Sequence, residues 1–192
     1  MSFSKEIEKS LKILKKGKIL LYPTDTVWGL GCDAFNINAI KKIYEIKKRN
    51  HIKSMIILVD NINRLRNLVG NITDFTKKII LDNFINQQKP ITIVYNNIKN
   101  NLIKFIHNKN KLAIRLTHDS FCNCLIKELN RPIVSTSANF SGGKTPMKFK
   151  EINPIILNSI DYAVNLRRNE KSIYNGSKII EINSNNFNIL RV

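Results

Sequence analysis

Residues 18–22 (KILLY) form a short apolar run that Pro23 stops, and a polar, glycine-bearing stretch follows at once. A run this short, closed by proline, reads as a buried strand. A strand apolar at consecutive positions has both faces covered, which calls for a sheet packed between other elements. The polar stretch, residues 24–34 (TDTVWGLGCDA), then occupies the end of that strand, where open α/β folds place ligand loops. We read it as a loop throughout.

The rest of the chain fits that frame. Residues 4–16 carry Ile7, Leu11 and Leu14 at helical spacing, with Gly17 placed as a helix C-terminal glycine. Asn36 is an N-cap for a helix with apolar Ala39, Ile40, Ile43 and Ile46, ending in the cations Lys47, Lys48 and Arg49. Further strands are read at 55–59, 91–95, 112–116, 133–135, 162–166, 178–182 and 187–191. Helices are read within 61–69, 73–84 and 120–129. The Asn-rich stretches 96–101 and 183–188 read as exposed turns. Strands alternate with helices early and cluster late, which predicts an α/β (α+β) layer fold around a mixed sheet. We expect one domain over residues 1–192.

Composition narrows the class. With 192 residues and 43% hydrophobic content, the chain can bury a core without staples. No apolar run approaches a membrane span, and the first eighteen residues lack a signal-peptide core, so a cytoplasmic location is expected. The cysteines, Cys32, Cys122 and Cys124, are odd in number and lack zinc or redox spacing, so they read as reduced thiols. No tightly held metal is expected from the scattered His51, His107 and His118. The net charge of +18 admits two readings, attraction to a polyanion or a lysine-rich composition of A/T-rich coding.

Chemistry concentrates in four places. In residues 23–34, Thr24, Asp25 and Thr26 supply hydroxyls and a carboxylate beside Gly29 and Gly31. In residues 135–146 (STSANFSGGKTP), five hydroxyl residues, one Asn and two glycines follow a strand, a composition suited to phosphate or carboxylate oxygens. Gly143-Lys144-Thr145 imitates a P-loop tail, but the required earlier glycine is Ala138. Lys47, Arg49 and Lys53 can clamp phosphate or simply sit solvated at a helix C-terminus. Arg115, inside the strand LAIRL, faces either solvent or a carboxylate.

Together these segments resemble the YrdC-like family, the threonylcarbamoyl-AMP synthases. The resemblance rests on Pro23 through Gly31 (PTDTVWGLG), Lys47-Lys48-Arg49, Lys89-Pro90-Ile91-Thr92, Ala113-Ile114-Arg115, and Ser135 through Gly142 (STSANFSG). It implies a twisted mixed β-sheet flanked by helices, with a concave basic cavity. It also implies nucleotidyl transfer: L-threonine, bicarbonate or CO2, and ATP, in company with Mg2+, give threonylcarbamoyl-adenylate and pyrophosphate. The product serves tRNAs reading ANN codons, reached directly or through a threonylcarbamoyl-transferase complex. By the same resemblance Lys47, Arg49, Ser137 and Asn139 form a catalytic tetrad. Arg49, Lys53, Ser137, Thr145 and Arg191 hold ATP, while Thr26, Arg115, Ser135 and Ser177 hold threonine.

Three positions depart from the family pattern: Asn50 replaces a frequent Pro, Lys178 a small hydroxyl residue, and Trp28 a frequent Tyr. The length is that of the family's short form, without the extra C-terminal domain of longer members. Two other classes compete. One is a non-catalytic paralogue that binds tRNA or double-stranded RNA, and the other is a carbamoyl-transfer domain of hydrogenase maturation.

Overall fold

The computed structural model describes residues 2–50, 54–86, 88–96, 106, 111–183 and 185–192. Among these, nine strands form one mixed sheet: β1 (Leu20–Tyr22), β2 (Gly29–Asp33), β3 (Ile56–Val59), β4 (Ile91–Tyr95), β5 (Leu112–Leu116), β6 (Ile133–Ser137), β7 (Tyr162–Ala163), β8 (Lys178–Asn183) and β9 (Asn186–Arg191). Their order is β7-β1-β2-β6-β3-β5-β4-β8-β9. The pairs β1/β7, β3/β5 and β4/β8 are parallel and the others antiparallel.

Helices cover both faces, as the apolar run in β1 requires. One face carries α1 (Phe3–Lys15) and α5 (Ser120–Leu129), packed on Leu20, Tyr22, Leu58 and Ile133. The opposite face carries α2 (Ile37–Ile46), α3 (Ile62–Val69) and α4 (Asp74–Ile85), around Val59, Ile93, Ile114 and Val134. A short helix, α6 (Pro154–Ser159), closes a third cluster over Leu21, Trp28 and Leu30. Local signals set the helix ends. The Asn36 side chain accepts from Ala39 N at 2.9 Å, and Asp119 Oδ1 accepts from Cys122 N at 2.9 Å. Gly17, at φ 68°, closes α1 by donating to Leu14 O at 2.9 Å. Truncating fully buried Leu125 to Ala on α5 costs about 2–5 kcal/mol.

The covered face is covered only in part, and that is what makes room for a site. Leu58 pairs in register with Ile133 and with Arg115. Side chains two residues apart share a face. The α1–α5 face therefore continues along β6 to Ser135 and Ser137, along β3 to Ile56, and along β5 to Arg115 and Ala113. There it lies open as a cavity, not packed under helices.

The sequence reading has no helix at α6, and the fold departs from it in four further elements. Residues 29–33 are a fully buried internal strand, β2, not loop. Its composition, GLGCD, has no β-branched residue and hid the strand. Glycine is required there: a Cβ on Gly31 would lie 2.4 Å from Val134 O and 2.7 Å from the Tyr22 ring. Second, β6 runs through Ser137, so the hydroxyl segment begins inside the sheet. Third, β7 is only Tyr162–Ala163, because the chain leaves the sheet where Arg168 donates to Ala163 O and Val164 O. Fourth, Asn186–Asn188 open β9, exposed but paired with β8. Residues 97–101 of the other Asn-rich stretch lie outside the described residues.

Candidate active site

The open part of the sheet face is the floor of a cavity of about 320 Å³. Thr26, Arg49, Arg115, Ser135, Ser137, Thr145, Ser177 and Arg191 all line it, so eight of the residues singled out from sequence meet in one place. Val27, Ile56, Val94, Ala113, Ile179 and Leu190 add an apolar lining that the polar motifs did not announce. The signal for it was the strand alternation around Arg115: Ala113 lies two residues away and pairs with Ile56 and Val94 in register.

At one end stands Arg115, 4% exposed. A guanidinium so deeply placed needs a partner, and a carboxylate supplies it. Arg115 Nη2 lies 3.0 Å from Asp25 Oδ1, and Nη1 donates to Thr26 Oγ1 at 3.2 Å. The hydroxyl of Thr24 organises the loop. It accepts from Thr26 N at 3.0 Å, donates to Val27 O at 2.8 Å, and lies 3.0 Å from the Thr26 hydroxyl. Gly29 leaves room for Ser135, whose Oγ would be 3.0 Å from a Cβ at that position.

The K-x-R segment is a helix terminus with a purpose in its backbone. Lys48 takes φ 48°, Lys48 N donates to Glu45 O and Arg49 N to Tyr44 O, both at 2.9 Å, which is a Schellman close. The left-handed step sends the neighbouring side chains apart. Arg49 reaches the cavity and donates to Ser54 O at 2.8 Å. Lys47 turns inward, 1% exposed, and its ammonium donates to Ser137 O and, at 2.6 Å, to Asn139 O. Burial and then the nearby Arg49 push the Lys47 ammonium down to about 7. Ser137 Oγ donates to Asn139 Oδ1 at 2.5 Å, and Asn139 Nδ2 to Gly143 O at 2.6 Å. Lys47 and Asn139 therefore stand behind Ser137 and shape its loop, outside the cavity lining. Lys53 lies outside the described residues.

The far end is built from the C-terminal strands. Ile180 pairs with Ile189 and Ile179 with Arg191, so Leu190 is the extra residue of a β-bulge. The bulge re-aims Arg191 onto the cavity face. There its guanidinium donates to Ser177 O at 2.8 and 3.0 Å and to Ser177 Oγ at 3.2 Å. Gly176, at φ 93°, leaves the space that a Cβ would take at 3.1 Å from that guanidinium. Thr92 fixes Ser177 from the other side, Oγ1 to Oγ 2.7 Å. Burial and then Arg115 lower the Arg191 pKa, which places the two guanidinium groups in one field. Lys178 sits over the Phe187 ring at 6.0 Å. Trp28 is 3% exposed against Phe149, filling an aromatic position by shape.

A concave α/β sheet face ringed by arginines and hydroxyls, with no nucleophile–base pair among the described residues at its centre, is the site of a domain whose chemistry suits anionic and carboxylate-bearing ligands. The chain belongs to the Sua5/YciO/YrdC family: the family profile, described as "Telomere recombination", matches residues 12–192. A relative from Pseudoalteromonas translucida, named threonylcarbamoyl-AMP synthase, is 32% identical over 168 residues, covering 85% of this chain and 87% of that protein. A doubly substituted P. abyssi Sua5 superposes with a TM-score of 0.85 at 24% identity, covering all of this chain. The P. abyssi Sua5 complexed with L-threonine superposes at 0.80 and 23% identity. This chain spans 57% and 54% of those two Sua5 chains. Among the described residues no helix is long and apolar enough to cross a membrane.

Proposed function

We propose that this protein is a threonylcarbamoyl-AMP synthase, a nucleotidyltransferase acting on L-threonine, bicarbonate or CO2, and ATP. One observation carries the reading: a single cavity joins a buried arginine flanked by threonine hydroxyls to a second end holding Arg49, Ser137, Thr145 and Arg191. The first end suits an amino acid, with its carboxylate on Arg115 and hydrogen bonds from Thr26 and Ser135; Ser177, held by Arg191, would add its hydroxyl where the two ends meet. The second suits a triphosphate, with Arg49 and Arg191 as charge and Ser137 and Thr145 as hydroxyl donors.

The chemistry needs no enzyme nucleophile. The amine nitrogen of threonine bonds to the carbon of CO2 and loses a proton, giving a carbamate; from bicarbonate, water leaves as well. A carbamate oxygen then attacks the α-phosphorus of ATP, and the bond to the bridging oxygen breaks to release pyrophosphate. The protein contributes alignment of the two reactants and cations where negative charge gathers. Lys47 and Asn139 act through the loop they hold, presenting Ser137 to the phosphates. Among the described residues no group of three or more His, Cys, Asp or Glu could hold a metal ion. We read any Mg2+ as travelling on the triphosphate. We read the whole chain as one domain acting in the cytoplasm, passing its adenylate to tRNA directly or through a transferase complex.

The test is pyrophosphate release by purified protein. It is expected only when ATP, threonine and bicarbonate are all present. Release that ignores threonine sinks the reading, and no release at all sinks it in favour of a non-catalytic RNA-binding paralogue.

A further inference from the structure

The segment Thr24-Asp25-Thr26 stands between two cavities. Thr24 and Thr26 line both the main cavity and a second one of about 150 Å³. Asp25 lines only the second, with Trp28, Arg167 and Lys171 among its walls. From there Asp25 reaches Arg115 from behind. Its Oδ1 lies 3.0 Å from Arg115 Nη2, and its Oδ2 accepts from Thr117 Oγ1 at 3.4 Å. Arg115 keeps its open side to the substrate cavity, and its Nε is buried without a hydrogen-bond partner.

We propose that Asp25 is a positioning and charge-balancing residue that makes the Arg115 end select a zwitterionic amino acid over an inorganic anion. The inference rests on the synthase reading of the same cavity. A lone guanidinium in a low-dielectric cleft attracts any anion, and phosphate best. ATP chemistry fills this cleft with phosphates, so an unmodified Arg115 would be captured by the wrong ligand. Asp25 brings the pair to net zero. A neutral pair still offers the directional donors that a carboxylate needs. It no longer repays the desolvation of a dianion, while a zwitterion, itself neutral overall, loses little. Asp25 also fixes which edge of the guanidinium is free, because one Nη is taken from behind and the other by Thr26. Among the described residues Arg191 pairs with no such carboxylate; its partners are Ser177 O and Oγ. The cavity thus sorts its two substrates by charge balance.

Calorimetric titration decides it, with pyrophosphate release by the wild-type protein run alongside as the separate check on the synthase reading. In the wild-type protein, inorganic phosphate leaves threonine affinity unchanged. In Asp25→Asn, threonine affinity falls about tenfold, the scale of one charge-assisted contact, and phosphate now displaces threonine. Asp25→Glu keeps the charge, and phosphate still fails to displace threonine from it. Should Asp25→Asn not fold, Thr117→Val carries the test: it removes only the hydroxyl on Asp25, and threonine affinity falls about two- to threefold. The proposal is overturned by Asp25→Asn binding threonine within twofold of wild type, by phosphate failing to compete in that variant, or by phosphate already competing in the wild type. A merely structural Asp25 would lower the melting temperature without changing which anion competes.

Discussion

Arg115 and Arg191 face one cavity but are held in different ways. Arg115 rises from β5 in the middle of the sheet, with strands hydrogen-bonded on both sides, and a carboxylate neutralises it. Arg191 comes from β9 at the sheet edge, exposed along its whole length, and is held by the carbonyl and hydroxyl of Ser177. Carbonyl dipoles orient a guanidinium without cancelling its charge, whereas a carboxylate does both. The comparison teaches that an arginine in a cleft is not one kind of tool. One is a shaped hydrogen-bond fork in a neutral pair, the other a cation still free to attract phosphate.

The sharpest way to break the comparison is Arg49→Ala. On the proposed reading Arg49 belongs with Arg191 on the phosphate side, and its loss should cut turnover by about 10²–10³, the scale of removing one preorganised donor to developing charge. Circular dichroism should be unchanged; unimpaired turnover would remove Arg49 from the site. Arg115→Ala should strike differently. It leaves Asp25 as an unpaired carboxylate and costs about 3–5 kcal/mol of stability by thermal or urea denaturation. The loss in kcat/KM should fall on threonine, not on ATP; equal losses for both would show that the two ends are not separate.

Arg191→Ala should weaken ATP about tenfold by direct titration, with threonine binding intact and little change in melting temperature. Lys47 gives the smallest signal. Its pKa, pushed down to about 7, makes it an ammonium below that pH and neutral above it in the free protein. Phosphates bound beside its loop favour the ammonium, so ATP binding at pH 8 should take up a proton and at pH 6 should not. Calorimetry in two buffers of different ionisation heat measures this. No uptake at pH 8 would detach Lys47 from the nucleotide end.

Where a property was carried by residue type and spacing, it could be read before folding. The hydroxyl-rich segment after Ile133, the Lys-x-Arg step after α2 and the arginine inside LAIRL all reached the site. What escaped depended on register. GLGCD reads as loop because glycines carry no strand preference, yet the glycines are there to let Tyr22 and Ser135 pack against the strand. Lys47 reads as either a phosphate clamp or a solvated cation, because spacing cannot show that a left-handed Lys48 turns it inward. Asp25 and Arg115 are 90 positions apart, and only the parallel pairing of β3 and β5 and the exit of β1 bring them together. Sequence reading left solvent and carboxylate equally open for Arg115, since nothing local distinguishes them.

The placement of Arg191 on an edge strand has a consequence for motion. Stability is not spread evenly over a sheet: interior strands open only with global unfolding, whereas edges fray at small cost. The backbone amides of β5 and β6 should therefore exchange with solvent hydrogen near the limit set by whole-molecule unfolding, and those of β9 far sooner. On the proposed reading the amino-acid end should then be a standing feature of the folded chain, while the last cation of the nucleotide end should come and go with the fraying of six residues. ATP, by engaging Arg191, should slow exchange along β9 and leave β5 and β6 as they were.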